Sequence, residues 1–342
     1  MEIIRSRAPL RLGLSGGGTD VSPFCDVHGG YVLNATIDRY AYAAIQPNAD
    51  LLVTLESLDQ GVSRSFSLDE EICCDGALRL HAAVYIRMIR DYNNGSAIPL
   101  RVSTFCDAPL GSGLGSSSTI VVAMVRAFVE LLNLPLGDYE IAKLAYVIER
   151  LDCNISGGKQ DQYSAAFGGF NFMEFYADDK VVVNPLRIRA WIRNELESSL
   201  LLYFSGLSRA SSQIIESQRT AMSRRDASAL DAMKTMKLEA VSMKECLLRG
   251  DFPGLVSSLA SGWESKKRSS AAVSNPLIES IYESAMSSGA LGGKVSGAGG
   301  GGFIMFFVPL AKRMSVISAL NRFDGLVSNC HFSDHGCDAW RC

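Results

Sequence analysis

The segment that most restricts this chain is Pro109-Leu110-Gly111-Ser112-Gly113-Leu114-Gly115-Ser116-Ser117-Ser118. Glycine at alternate positions lets the backbone turn tightly and approach a ligand with no Cβ in the way. The serines lead into an apolar run, Thr119 to Phe128, that reads as a largely buried helix. A helix start exposes N–H groups and the positive end of the peptide dipole, which together favour anions. Ile98 to Phe105 before the loop reads as a strand, so the unit is strand, loop, helix, with a loop suited to polyphosphate. It lacks the Gly-Lys-[Ser/Thr] ending of a P-loop, and its third glycine comes one residue too early for a dinucleotide fingerprint. The plain alternative is a glycine turn with serine caps, a common way to open any helix.

Length and charge narrow what surrounds this loop. The 342 residues, 47% of them hydrophobic, suffice for two packed domains, because single cores stop growing near roughly 250–300 residues. A net charge of −3 supplies no concentrated basic surface for nucleic acid or an anionic membrane, so a small-molecule partner is expected. The first residues run directly into an alternating strand pattern and no apolar stretch is long enough to span a bilayer, which leads to the expectation of a cytoplasmic protein. Nine cysteines, scattered or adjacent as at Cys73-Cys74, suit reduced thiols better than a disulfide framework. The cluster Cys330-His331 and His335-Gly336-Cys337 lacks zinc-site spacing, and Ser333 to Gly336 reads as a hairpin turn between short strands.

Along the chain, 3–14 and 31–46 alternate as strands, 51–56 and 62–67 as a shorter pair, and 78–92 has helical spacing. A helix over 138–151, a polar loop over 152–159 and a strand over 168–175 follow. From there the pattern gives a strand at 200–204, amphipathic helices between 209 and 289, a second glycine loop at 292–302, a strand at 303–308 and a helix at 311–323. The expected division is a first lobe of 1–190 and a second of 191–342.

Three separated motifs then point the same way. The loop Pro109 to Ser118 resembles the ATP motif of the GHMP kinases, the family of galactokinase, homoserine kinase and mevalonate kinase. Lys294-Val295-Ser296-Gly297-Ala298-Gly299-Gly300-Gly301-Gly302 is similar to their third motif. Arg7-Ala8-Pro9-Leu10-Arg11-Leu12-Gly13-Leu14 with Gly16-Gly17-Gly18-Thr19-Asp20 is similar to their N-terminal substrate motif. The resemblance implies an α+β, two-lobed fold, with a first lobe like the second domain of ribosomal protein S5 and a ferredoxin-like second lobe. It also implies ATP and Mg2+, with Pro109, Gly111, Ser112, Gly113, Leu114, Gly115, Ser116, Ser117 and Ser118 as the nucleotide loop.

Phosphoryl transfer needs a cation on the phosphates, a group that orients or deprotonates the acceptor hydroxyl, and positive charge on the transferring group. Asp161, in Gly158-Lys159-Gln160-Asp161-Gln162, matches the family's catalytic base; its bland reading is a helix cap. Glu149, twelve positions earlier, stands where the family binds magnesium, with Ser117 or Ser118 as companion ligand; its bland reading is a solvated carboxylate. Arg11 precedes Asp20 at the galactokinase spacing and is a candidate to sit beside Asp161, and Lys159 is a second candidate for that task. Either could equally be a surface cation.

For the acceptor, galactokinases carry Gly-Glu-His-Thr-Asp-Tyr where this chain has Gly16-Gly17-Gly18-Thr19-Asp20-Val21, which disfavours galactose and leaves bare N–H groups. The run from Arg7 to Pro23, the run from His28 to Tyr40, and Tyr203 to Ser212 are similar to the D-glycero-D-manno-heptose 7-phosphate kinases, which phosphorylate the anomeric hydroxyl on the way to GDP-heptose. The resemblance makes Gly16, Gly17, Gly18, Thr19, Asp20, His28, Arg209, Gly297, Gly299 and Gly300 candidates for holding the sugar phosphate. Fucokinase-like enzymes are the rival acceptor class, and a non-catalytic sugar sensor on the same fold is the rival of another kind.

Overall fold

The computed structural model describes residues 2–206, 214–216, 220 and 227–342. Its elements build two sheets. The larger has eight strands, and its spine is the antiparallel pair β1 (Ile4–Ser15) and β2 (Gly30–Pro47). β2 is long enough to be shared: Gly30 to Ala35 pair with β6 (Phe170–Phe175), and Ala41 to Pro47 pair with β5 (Leu100–Cys106). Beyond β5 lie β3 (Leu52–Ser57), in the one parallel pairing of the described strands, and β4 (Val62–Ser67). Beyond β6 lies β7 (Val181–Pro185). The register of β1 on β2 shifts between Pro9 and Arg11 and again between Gly13 and Ser15. Such irregularities re-aim side chains, and Arg11 sits at the first of them.

α3 (Ser116–Leu131) packs on β1 and β2 and is buried on nearly every side. Its β-branched residues Ile120, Val121 and Val122 are only moderate helix formers, so burial rather than propensity holds it. α2 (Arg79–Tyr92) and α4 (Asp138–Val147) flank it. α4 does not run on to 151 as a regular helix; it opens into one wide π-type turn over Ile148–Asp152, a feature that recurs at functional sites. Arg87 of α2 pins that turn, donating Nε to Asp152 Oδ2 at 2.9 Å. α5 (Gln160–Phe167) then returns to β6.

After α6 (Ala190–Ser199) comes the smaller antiparallel sheet, in the order β11 (Leu326–Asn329), β8 (Leu200–Phe204), β10 (Phe303–Phe307), β9 (Gly292–Val295). Between β8 and β9 lie α7 (Ala227–Arg249), α8 (Phe252–Ser269) and α9 (Pro276–Ser287), and between β10 and β11 lies α10 (Arg313–Leu320). Strand, helix, strand, strand, helix, strand in this spatial order is the ferredoxin-like arrangement expected of the second lobe.

The end of the chain differs from the sequence reading. Residues 330–337 are not a hairpin turn: β11 belongs to the small sheet, whereas β12 (Asp338–Arg341) pairs with β1 at the edge of the large one. Phe332, buried against Phe170 with ring centroids 4.6 Å apart, anchors this crossing. Burial of an aromatic ring outweighed the turn chemistry of Asp334 and Gly336.

Candidate active site

A cavity of about 450 Å³ opens where β1, the start of α3, the π-type turn, the start of α5 and the glycine turn before β10 converge. Its floor is the glycine loop. Gly111, Gly113 and Gly115 all have positive φ, between 75° and 81°. Gly115 in the left-handed region precedes the first turn of α3, so the N–H groups of Ser116, Ser117 and Ser118 start the helix at the cavity wall. Pro109, Ser112 and Leu114 do not line the cavity; they shape the loop. The Ser116 hydroxyl donates to the Pro109 carbonyl at 3.1 Å, and the Arg11 amide donates to the Leu114 carbonyl at 3.1 Å.

The second glycine motif locks onto the first. A Cβ on Gly113 would lie 2.4 Å from the Ser296 carbonyl oxygen, and one on Gly297 would lie 2.7 Å from the Gly113 Cα. Gly297 therefore lines the cavity beside Gly113. Gly299 and Gly300 do not; Gly300 donates to the Val273 carbonyl at 2.7 Å, and Gly299 packs on the same residue.

Arg11 and Asp161 meet across the chain. Arg11 Nε donates to Asp161 Oδ1 at 2.8 Å and its Nη2 lies 2.5 Å from the same oxygen, while Nη1 donates to the Gly113 carbonyl at 2.7 Å. The guanidinium is thus buried, with one edge on a carboxylate and one on the phosphate loop. Asp161 stays partly open, and its Cγ lies 3.2 Å from where a Gly115 Cβ would be. A carboxylate beside the phosphate loop, facing the cavity and oriented by a buried arginine, can accept a proton from a hydroxyl brought to it.

Asp20 lies deeper. Its Oδ1 accepts from the Gly18 amide at 3.1 Å and from Gln160 Nε2 at 3.3 Å, and its Oδ2 accepts from the Gln160 amide at 3.0 Å. Burial raises its pKa above the ordinary carboxylate value, opposed by these amides and reinforced by Asp161. Gly17 and Gly18 line the cavity, but the Gly18 N–H is not bare, since Asp20 takes it. Gly16 is pressed against the Tyr31 carbonyl, where a Cβ would come within 1.9 Å. Thr19 is wholly buried, its hydroxyl donating to the Gly16 carbonyl at 2.8 Å and accepting from the Tyr31 amide at 3.0 Å. Both hold the turn rather than face the cavity.

Glu149 is 1% exposed, so it is no solvated helix end. It accepts from Ser117 Oγ at 2.8 Å, from Ser118 Oγ at 2.6 Å and from Gln162 Nε2 at 2.7 Å, and Arg150 Nη1 lies 3.1 Å away. A carboxylate with two hydroxyls beside the loop is an all-oxygen donor set, the kind a hard cation such as magnesium takes. The residues present therefore fit that ion.

Three candidates lie elsewhere. The Lys159 ammonium sits 2.6 Å from Asp179 and over the Tyr146 ring, away from the cavity. Residues two apart at a helix start face different ways, so Lys159 and Asp161 cannot share a task. His28 stacks on Phe24 at the end of α1 (Phe24–His28), outside the cavity. Arg209 lies outside the described residues. Among the described residues no group of three or more histidine, cysteine or acidic side chains could hold a metal; Cys330 is buried and His331 faces Glu197.

The sequence reading missed four side chains. Gln160 ties Asp20 to α5, Gln162 ties Glu149 to Ser118, and Lys266 and Lys294 are buried cations near Arg11. The Lys294 ammonium donates to the Leu14 carbonyl at 3.1 Å, and burial holds its pKa well below the ordinary value. Lys294 opens the third motif, so a signal was available for it. For the glutamines and Lys266 there was none beyond proximity in the folded chain.

Known proteins resemble the chain along its whole length. Residues 79–169 match the GHMP kinases N terminal domain and residues 243–324 the GHMP kinases C terminal family. The chain is 46% identical over 341 residues to the D-glycero-alpha-D-manno-heptose 7-phosphate kinase of Campylobacter jejuni, covering 100% of both chains. The crystal structure of a D-glycero-D-manno-heptose 1-phosphate kinase from Bacteroides thetaiotaomicron matches with a TM-score of 0.83 at 43% identity, over 99% of each chain. The galactokinase of Lactococcus lactis shares the fold, with a TM-score of 0.76 at 19% identity over 98% of this chain and 95% of that one. Among the described residues no helix is long and apolar enough to cross a membrane.

Proposed function

The chain belongs to the GHMP kinases, and from that premise we propose that it transfers the γ-phosphoryl group of ATP to the anomeric hydroxyl of D-glycero-D-manno-heptose 7-phosphate. The observation that carries this reading is the Arg11–Asp161 pair lying against Gly115 of the phosphate loop, with the buried Asp20 beyond it. The acceptor is suggested by the full-length similarity to the Campylobacter jejuni enzyme.

In this mechanism the amides at the start of α3 and the loop of Gly111 to Gly115 cradle the phosphates of ATP. Asp20 accepts hydrogen bonds from the sugar's secondary hydroxyls. Asp161 orients the anomeric hydroxyl and takes its proton as the hydroxyl oxygen bonds to the γ-phosphorus and the bond to the departing ADP oxygen breaks. Arg11 holds Asp161 in place and offsets charge on the moving phosphoryl group. Magnesium, held by Ser117, Ser118 and Glu149, would supply further charge neutralisation on the phosphate oxygens.

The names of the two relatives differ on which position already carries phosphate, and the test separates them. Purified protein with ATP and Mg2+ is given heptose 7-phosphate, heptose 1-phosphate, fucose and galactose, with ADP release measured and products resolved by phosphorus NMR. The expected outcome is turnover of the 7-phosphate with a new anomeric phosphate. Faster turnover of fucose would move the protein to the fucokinase class, and tight nucleotide binding without turnover of any sugar would make it a sensor.

A further inference from the structure

We propose that Lys266 is a catalytic cation of this site, its ammonium contacting the transferring phosphoryl group together with Arg11. The proposal rests on the kinase reading above and adds a residue from the second lobe. Lys266 lies near the end of α8 in Ser265-Lys266-Lys267-Arg268, a run that reads as a solvated helix end, and the structure divides it. Lys267 pairs with Glu264 at 2.8 Å, and Arg268 donates to Ser265 Oγ at 3.1 Å. Lys266 turns inward, is only 4% exposed, and lines the same cavity as Arg11, Asp20 and Asp161.

One of its N–H groups donates to the Gly297 carbonyl, and among the described residues it makes no ion pair. A buried ammonium with no carboxylate at ion-pair distance is costly, so an anion entering the cavity gains by meeting it. The nucleotide's end phosphate is the anion the surroundings select. Gly297 abuts Gly113 of the phosphate loop, and the Gly113 carbonyl is the one that Arg11 Nη1 contacts. Two cations are thereby fixed to two interlocked glycine loops, at the place where Asp161 meets Gly115.

The charges facing Lys266 are Arg11 from β1, Lys294 from β9, Asp20 from the first glycine turn and Asp161 from α5. Burial chiefly, and then Arg11, lower its pKa to about 8, with Asp20 and Asp161 opposing. The cationic form is complete well below that value and is lost as pH rises through it.

The experiment compares wild type with Lys266→Met, which keeps the length without the charge, and Lys266→Arg, which keeps the charge. Turnover is measured against pH, and binding of ADP is measured alone and with aluminium fluoride and Mg2+, a mimic of the phosphoryl group in flight. Lys266→Met is expected to lower kcat about 100-fold or more with KM values within about threefold, and to abolish both the alkaline limb near pH 8 and the tightening of ADP by aluminium fluoride. Lys266→Arg should recover part of kcat and shift that limb to higher pH. A Lys266→Met kcat within about threefold of wild type overturns the proposal. So does a rise in the sugar-phosphate KM alone with aluminium fluoride tightening intact, which would put Lys266 on the phosphate the sugar already carries. If Lys266→Met does not fold, an unshifted limb in Lys266→Arg overturns it equally. If wild type turns over no sugar phosphate, the acceptor reading fails, while the aluminium fluoride comparison still decides Lys266.

Discussion

Asp161 is the candidate base because it is incompletely enclosed. Arg11 holds one oxygen, and the carboxylate still faces the cavity beside Gly115. Asp161→Asn should therefore preserve ADP binding while lowering turnover by roughly 10²–10⁴-fold, measured by ADP release and by calorimetric titration. Activity within a few-fold of wild type would remove Asp161 from the role of base. Gly158 carries a different constraint: a Cβ there would lie 1.9 Å from Asp20 Oδ2. Gly158→Ala must displace Asp20 and is expected to raise the acceptor KM at least about tenfold while the ATP KM stays near wild type. An unchanged acceptor KM would show that Asp20 does not hold the sugar. Arg11, Asp20, Glu149 and Asp161 were legible because they stand at fixed offsets from glycine-rich runs. Lys266 was not, because Ser265-Lys266-Lys267-Arg268 has the pattern of a solvated helix end, and only in the folded chain do burial and the contact with Gly297 distinguish one lysine from its neighbour. Lys159 was misleading for the converse reason: a cation two residues from Asp161 in sequence points elsewhere once a helix begins between them.

At the scale of elements, most strands and helices were legible from alternation and helical spacing, but the π-type turn over 148–152 was not. No composition marks it, and its effect is to bury Glu149 against Ser117 and Ser118. The packing of α2 on β5 makes a separate prediction. His81 is buried, with Nε2 2.7 Å from Thr104 Oγ1 and Nδ1 without a partner among the described residues. Burial lowers its pKa to about 4 from an ordinary 6.5, opposed by Asp59. The unfolded chain then binds the proton more readily, so stability is fully present above about pH 6.5 and falls as pH drops toward 4. The loss approaches about 3 kcal/mol. Urea unfolding at pH 7 and at pH 4.5 should show about 2 kcal/mol of that loss in wild type and less in His81→Gln. Equal pH dependence in both would place the acid sensitivity elsewhere. The glycine interlock is the other element-scale constraint. Gly297→Ala needs both a positive φ and room already filled by Gly113, and is expected to cost about 1–3 kcal/mol and to raise the ATP KM. Thermal melting and initial rates check both parts.

Over the whole molecule, the two sheets communicate at the cavity and at the chain's last crossing. The second glycine motif joins the small sheet to the first glycine loop: the Phe303 amide donates to the Ser112 carbonyl at 2.8 Å. The lobe order was legible, and the crossing at 330–337 was not, because a polar Ser-Asp-His-Gly run has the composition of a hairpin while the neighbouring Phe332 is what the core takes up. Phe332→Ala should cost about 3–5 kcal/mol by opening that contact, with a lowered melting temperature and little change in acceptor selectivity; a melting temperature within a degree or two would show that β12 is held without it. The pairing that β12 makes has a consequence in time. β1, the strand that carries Arg11, receives its outer neighbour from residues 338–341. A chain emerging from the ribosome therefore displays the free hydrogen-bonding edge of β1 until residues 338–341 have been made, and an unpaired edge invites foreign strands. Slow translation of the stretch between β1 and residues 338–341 should increase aggregation of nascent chains, and the strand most at risk is the one on which the candidate catalytic arginine stands.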